Sequence, residues 1–222
     1  MELSKSVCCK EIKNMDVMDA SGKKIGRVID FTFTFDETLK LAHFILGGSK
    51  AEEFLEAIKL KPDEDPVFDS TLIMKVDDHI HLDTSGNSLK DSYSEILDNE
   101  IRFSDLKKLD IYDKDNVKVG QAIDVDFQLD GHTALIAGGG FIEEKLEAIG
   151  LKDDVDIIIP FEVIVSIDES IRLSVSKDEL DASLDGILRE RALEIKKQRQ
   201  AAATHNQGKK QRVRAIWPYG PT

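Results

Sequence analysis

The chain has 222 residues, 41% of them hydrophobic and 33% charged, which suits one large or two small packed domains and excludes wholesale disorder. Its 30 Lys and Arg stand against 43 Asp and Glu, a net charge of −13, and that acidity argues against the body gripping nucleic acid or an anionic membrane. No run approaches the roughly 20 apolar residues that span a bilayer, and Met1 to Lys10 lacks the basic start and apolar stretch of a secretory signal, so the expectation is a cytoplasmic protein with no integral membrane segment.

The first predicted element is a short edge strand around Val7 to Cys9. Cys8 and Cys9 are adjacent, so a bridge between them is strained and closes no useful loop. A reactive vicinal dithiol is one reading; two cysteines on opposite strand faces, Cys9 toward the core and Cys8 toward solvent, is the favoured one. A tight turn follows at Asp19-Ala-Ser-Gly22. Ile29, Phe31, Phe33 and Phe35 then alternate with Asp30, Thr32 and Thr34, the period of a half-buried strand. After a hairpin loop come a strand at Ala42 to Leu46, a small-residue turn at Gly47-Gly-Ser49 and a short helix over about Ala51 to Leu60. Thr71 to Val76 and His79 to Asp83 read as two more strands joined at Asp77-Asp78. Leu89, Tyr93, Ile96 and Leu97 have the spacing of a closing amphipathic helix.

The same series then repeats. Asn14-Met-Asp-Val-Met-Asp19 matches Lys108-Leu-Asp-Ile-Tyr-Asp113, and Lys24-Ile-Gly-Arg-Val-Ile-Asp30 matches Lys118-Val-Gly-Gln-Ala-Ile-Asp124, both at an offset of 94 residues. The offset becomes 91 for Glu52 to Ile58 against Glu143 to Ile149, and for Ile80-His-Leu82 against Ile171-Arg-Leu173. The slip falls between Asp36 and Gly47, where a loop tolerates a change of length. In the second copy Asn116 takes the place of Gly22, Gly138-Gly-Gly140 that of Gly47-Gly-Ser49, and Leu180, Leu184, Ile187 and Leu188 close the series. About six short strands with tight turns in each copy predict a small closed or nearly closed β-barrel.

The order of turn, Lys-x-Gly-x-x-x-Asp, alternating strand, apolar strand and apolar-acid-acid-x-Ile-x-Leu resembles the PRC-barrel family. That family is known from the cytoplasmic part of the photosynthetic reaction-centre H subunit and the C-terminal domain of the ribosome maturation factor RimM. Gly22, Gly26, Asp30, Ile80 and Leu82 carry the resemblance, echoed by Asn116, Gly120, Asp124, Ile171 and Leu173, over residues 5–85 and 99–176. It implies a mainly β fold of two tandem small barrels, each followed by an α-helix. It also implies a binding or adaptor module without catalytic residues, most often archaeal, with cell-division or membrane-associated assemblies as partners.

No motif offers a competing chemistry. His79 and His81 sit at i, i+2, but the second copy has Ser170 and Arg172 there, and no third ligand is anchored nearby. Asp63-Glu-Asp65 and Asp153-Asp-x-Asp156 lack the ligand alternation and central Gly of a calcium loop. The Gly-rich turns lack phosphate-loop spacing. Asp30 and Asp124 recur inside strands with no nucleophile or proton partner, so a structural role is expected of them. No enzyme activity, cofactor or metal is therefore expected.

The ends differ in charge. Residues 189–222 hold nine basic and two acidic side chains, leaving −20 on residues 1–188. The expected division is 1–98, 99–203 with an extended C-terminal helix, and a basic-aromatic tail over 204–222. In that tail Lys209, Lys210, Arg212, Arg214, Trp217 and Tyr219 are the candidate partner-binding residues. Basic and aromatic groups hold phosphates and stack bases, as RNA or ribosome contact requires; they equally form a peptide that docks on a protein, docks back on the acidic barrels, or stays a solvated tail. The leading expectation is a protein-interaction adaptor or scaffold; the alternative is an RNA-processing or ribosome-assembly factor. Further homo-oligomerisation stays open.

Overall fold

The computed structural model describes residues 1–48, 66–89, 91–129, 131–148, 150 and 157–182, with Leu188, Leu193 and Lys197 beyond them. In the first copy and its approach the strands are Glu2–Leu3 (β1), Val7–Cys8 (β2), Asp16–Met18 (β3), Lys24–Asp36 (β4), Thr38–Gly47 (β5), Val67–Asp69 (β6), Ile73–Val76 (β7) and Ile80–Leu82 (β8). In the second they are Glu100–Arg102 (β9), Asp110–Tyr112 (β10), Lys118–Phe127 (β11), Thr133–Gly138 (β12), Ile157–Ile159 (β13), Ile164–Ile167 (β14) and Ile171–Leu173 (β15). One sheet runs β1-β7-β8-β3-β4-β5-β6 with β9 added to β4; the other runs β13-β12-β11-β10-β15-β14 with β2 added to β11. The protein is mainly β, with two curled sheets, as the two predicted small barrels require.

The shared turns have a shared clamp. Gly22 (φ +79°) and Asn116 (φ +64°) both take the left-handed conformation, which those two residue types tolerate best. Buried Asp19 accepts from the amides of Ser21 and Lys23 through Oδ1 and from the amide of Gly86 through Oδ2. Asp113 does the same for Asp115, Val117 and Lys177. One carboxylate thus ties the turn to the helical segment that follows β8 or β15, at Gly86–Leu89 and at residues 177–182.

Each copy lends its lead-in strand to the other copy. β2 pairs with β11, placing Val7 opposite Phe127 and Cys8 opposite Asp126. β9 pairs with β4 at the matching positions, Ile101 opposite Phe33 and Arg102 opposite Thr32. The helical turns Cys9–Ile12 and Phe103–Leu106 follow, with Cys9, Ile12, Phe103 and Leu106 buried.

Two compact units result, Met1–Leu106 with Asp124–Ala134, and Lys107–Ile123 with Leu135–Thr222. Both exchanged pairings lie in the first unit. Phe31, Phe33, Phe44 and Phe68 form part of its core, fully buried, with the Phe68 ring tilted against those of Phe44 and Tyr93. In the second unit Val119, Leu135, Ile142, Ile157 and Ile171 are buried, and the helix Gly140–Ala148 turns Ile142 and Leu146 inward.

Three expectations change. Cys8 is buried beside Cys9, because the strand ends there and Cys9 opens a helical turn. The segment between Asp36 and Gly47 is strand almost throughout, turning at Glu37, and the extra residues of the first copy lengthen the hairpin because Leu39 is buried. The closing helix of the first copy stops at Leu89. Tyr93 instead bridges to Phe68, and Leu97 is 58% exposed, so an aromatic contact overrides the helical period. The predicted helix over Ala51 to Leu60 and both acidic clusters lie outside the described residues.

Candidate protein-interaction site

Every titratable group singled out in the long strands is committed to structure. Asp30 Oδ1 accepts from the amides of Phe31 (3.0 Å) and Ser104 (3.3 Å). Asp124 Oδ1 accepts from the amides of Val125 (2.9 Å) and Lys10 (3.2 Å). Each carboxylate therefore caps the helical turn brought in by the other copy, satisfying amides that a helix start leaves without partners.

Cys9 is fully buried, and burial, reinforced by the nearby Asp124 carboxylate, pushes its thiol well above the usual range. Such a thiol is a poor nucleophile. Cys8 Sγ lies 3.9 Å from Asp126 Oδ1. His81 Nε2 lies 3.0 Å from Asp77 Oδ1, and the His79 ring meets that of His81 edge-on. No group of three metal-ligating side chains gathers among the described residues. The glycines that end β5 and β12 serve packing: a Cβ on Gly47 would lie 2.6 Å from Ile29, and one on Gly138 would lie 3.2 Å from Ile123.

One polar cluster has no signal in the sequence pattern. On the exchanged seam, Thr32 Oγ1 donates to Glu100 Oε2 at 2.6 Å, and His43 Nδ1 lies 2.8 Å from the same oxygen. The side chains of His43 and Glu100 are 11% and 1% exposed. Neither residue repeats: Ala134 and Ser6 stand at the corresponding places. Only the arrival of β9 against β4 brings Glu100 to His43.

The sheet edges are the surfaces able to take a partner, since an edge strand presents unpaired backbone groups. The outer edge of β7 is occupied: β1 lies parallel to it, Glu2 opposite Lys75 and Leu3 opposite Val76. β14 is the counterpart of β7, and among the described residues no strand pairs with its outer edge. Val165 on that strand is 63% exposed. The tail candidates Lys209, Lys210, Arg212, Arg214, Trp217 and Tyr219 lie outside the described residues. No helix among the described residues is long and apolar enough to cross a membrane.

The family described as PRC-barrel domain matches the chain twice, at residues 7–84 and 98–180. PRC-barrel domains are known for protein-interaction and scaffold roles, and the family is not a known enzyme family. No curated protein matches the chain.

Proposed function

The chain belongs to the PRC-barrel domain family, and from that premise we propose that it is a non-enzymatic adaptor that binds protein partners through its strand edges. The observation that carries this reading is the contrast between the edge of β7, covered by β1, and the edge of β14, which no strand among the described residues covers. An extended peptide added there gains main-chain hydrogen bonds without any deep pocket. The setting is the cytoplasm of an archaeon, with cell-division or membrane-associated assemblies as the partner class. The tail residues Lys209, Lys210, Arg212, Arg214, Trp217 and Tyr219 are a second contact element, with the aromatics as anchors.

The basic excess of residues 189–222 favours one rival, an RNA-processing or ribosome-assembly factor. Affinity capture from native-source lysate with the full chain and with a version ending at Ala203 separates the two. The adaptor reading expects a defined set of nuclease-resistant protein partners. Ribosomal proteins and rRNA that vanish with nuclease treatment or tail removal overturn it. RNA contact through the four basic tail residues should also weaken steeply with salt, by a log–log slope of about −0.7 per phosphate.

A further inference from the structure

We propose that the chain's own C-terminal segment, around Arg212 to Trp217, is the resident occupant of the open β14 edge, lying parallel to it as β1 lies on β7. This goes beyond the adaptor reading: a partner peptide would reach this edge only by displacing the tail.

The two edges are the same in build and opposite in electrostatic demand. On β7, Asp77 at the strand end is partnered within its own copy by Lys75 Nζ at 2.8 Å and by His81 Nε2 at 3.0 Å. Lys75 in turn faces Glu2 of β1, so an acidic strand suits that edge. On β14 the counterpart of Asp77 is Asp168, that of Lys75 is Ser166 and that of His81 is Arg172. Arg172 is engaged elsewhere, bonded to Asn116 Oδ1 and stacked 4.9 Å from the Tyr112 ring centroid. Glu162, Asp168 and Glu169 are exposed at the two ends of β14, and among the described residues no ion pair answers them. The edge therefore asks for a basic strand with apolar residues to set beside Val165.

The chain carries one. Residues 204–222 have four basic side chains and no acidic one, while residues 141–188 have thirteen acidic against four basic, so the charge match is strong and internal. In Arg212-Val-Arg-Ala-Ile-Trp217, Val213, Ala215 and Trp217 alternate with Arg212 and Arg214, the period of a strand with one apolar side. Leu188 is buried in the same unit as β14. From there to Arg212 the chain reaches up to roughly 80 Å when extended, far more than the size of such a unit demands. Intramolecular docking also has a high effective concentration, so a few hydrogen bonds suffice to hold it.

Amide exchange followed residue by residue on the full-length protein tests this. Val213→Pro with Ala215→Pro removes strand donors from the tail and leaves both barrels untouched. The expected result is exchange at Ile164 to Ile167 faster by about tenfold, the loss of one or two net hydrogen bonds, with Ile73 to Val76 unchanged beneath β1. Raising salt to 1 M should move the unmodified protein the same way. Identical exchange at β14 in both proteins overturns the proposal. So does protection of β14 that depends on protein concentration alongside a dimer in light scattering, which would make a second copy the occupant.

Discussion

Phe33 and Phe127 stack with ring centroids 6.1 Å apart and planes 24° from parallel, and each is the other's counterpart 94 residues along the chain. Phe33 stands opposite Ile101, and Phe127 opposite Val7. The two repeats thus meet at matching residues of their long strands, where each holds the other's lead-in strand. The first unit cannot be assembled from the first repeat alone.

Truncating either ring should be costly. Both residues are buried, at 0% and 2% exposure, so Phe33→Ala and Phe127→Ala should each lower unfolding free energy by about 3–5 kcal/mol. Urea denaturation with a double-mutant cycle measures it, and a coupling near zero would mean the stacking contributes nothing beyond burial.

The reciprocal caps should behave alike. Asp30→Ala and Asp124→Ala each leave helix-start amides without an acceptor and should cost about 1–2 kcal/mol. Asp→Asn at either place keeps a side-chain oxygen and should retain most of that stability in the same urea assay.

His43 Nδ1 and Glu100 Oε2 meet in a buried side-chain contact on the seam. His43→Ala leaves the buried Glu100 carboxylate with Thr32 but without its imidazole and should cost about 1–3 kcal/mol. The double change His43→Leu with Glu100→Leu should recover a large part of it. If the single change is as mild as the double, the pair has no coupling and the seam rests on apolar contacts alone.

Acid should loosen both turns. Burial raises the Asp19 carboxyl, but hydrogen bonds from Ser21, Gly86 and Lys23 outweigh it and hold it at about 2. Asp113 is held below its ordinary value despite burial by the amides of Val117, Lys177 and Asp115. A folded value below the unfolded one, about 3.9, means the contribution is present above pH ~4 and is lost as pH falls toward ~2. Melting temperature followed over that range should drop less steeply in Asp19→Asn than in the unmodified protein.

The cysteines should be silent in the folded protein. Cys8 and Cys9 are both buried, and the Cys9 thiol is pushed up by burial and by Asp124, so a thiol reagent should label neither at neutral pH and both in denaturant. Rapid native labelling of Cys9 would show that the helical turn Cys9–Ile12 opens readily.

Much of the local structure was legible in the residues. The duplication, the turns at Gly22 and Asn116, the long alternating strands and the hairpins at Asp77 and Asp168 follow from φ tolerance and from the period of two. The structural duty of Asp30 and Asp124 was legible in outline, though not which helical turn each caps. His43 and Glu100 could not be found that way, since 57 residues separate them and neither is repeated. The β14 edge, which no strand among the described residues covers, was equally hidden, because β7 and β14 share their apolar pattern and nothing in that pattern marks the strand β1 that lies on β7.

What the sequence by itself determined is the set of parts: two copies of one barrel pattern, an acidic body and a basic end. What only the tertiary structure decided is which copy each lead-in strand joins. Val7-Cys8 and Ile101-Arg102 present similar backbones and apolar faces, so either long strand offers either of them the same ladder of hydrogen bonds. The choice is made by long-range packing, the stack of Phe33 on Phe127, the crossed caps from Asp30 and Asp124, and Glu100 meeting His43.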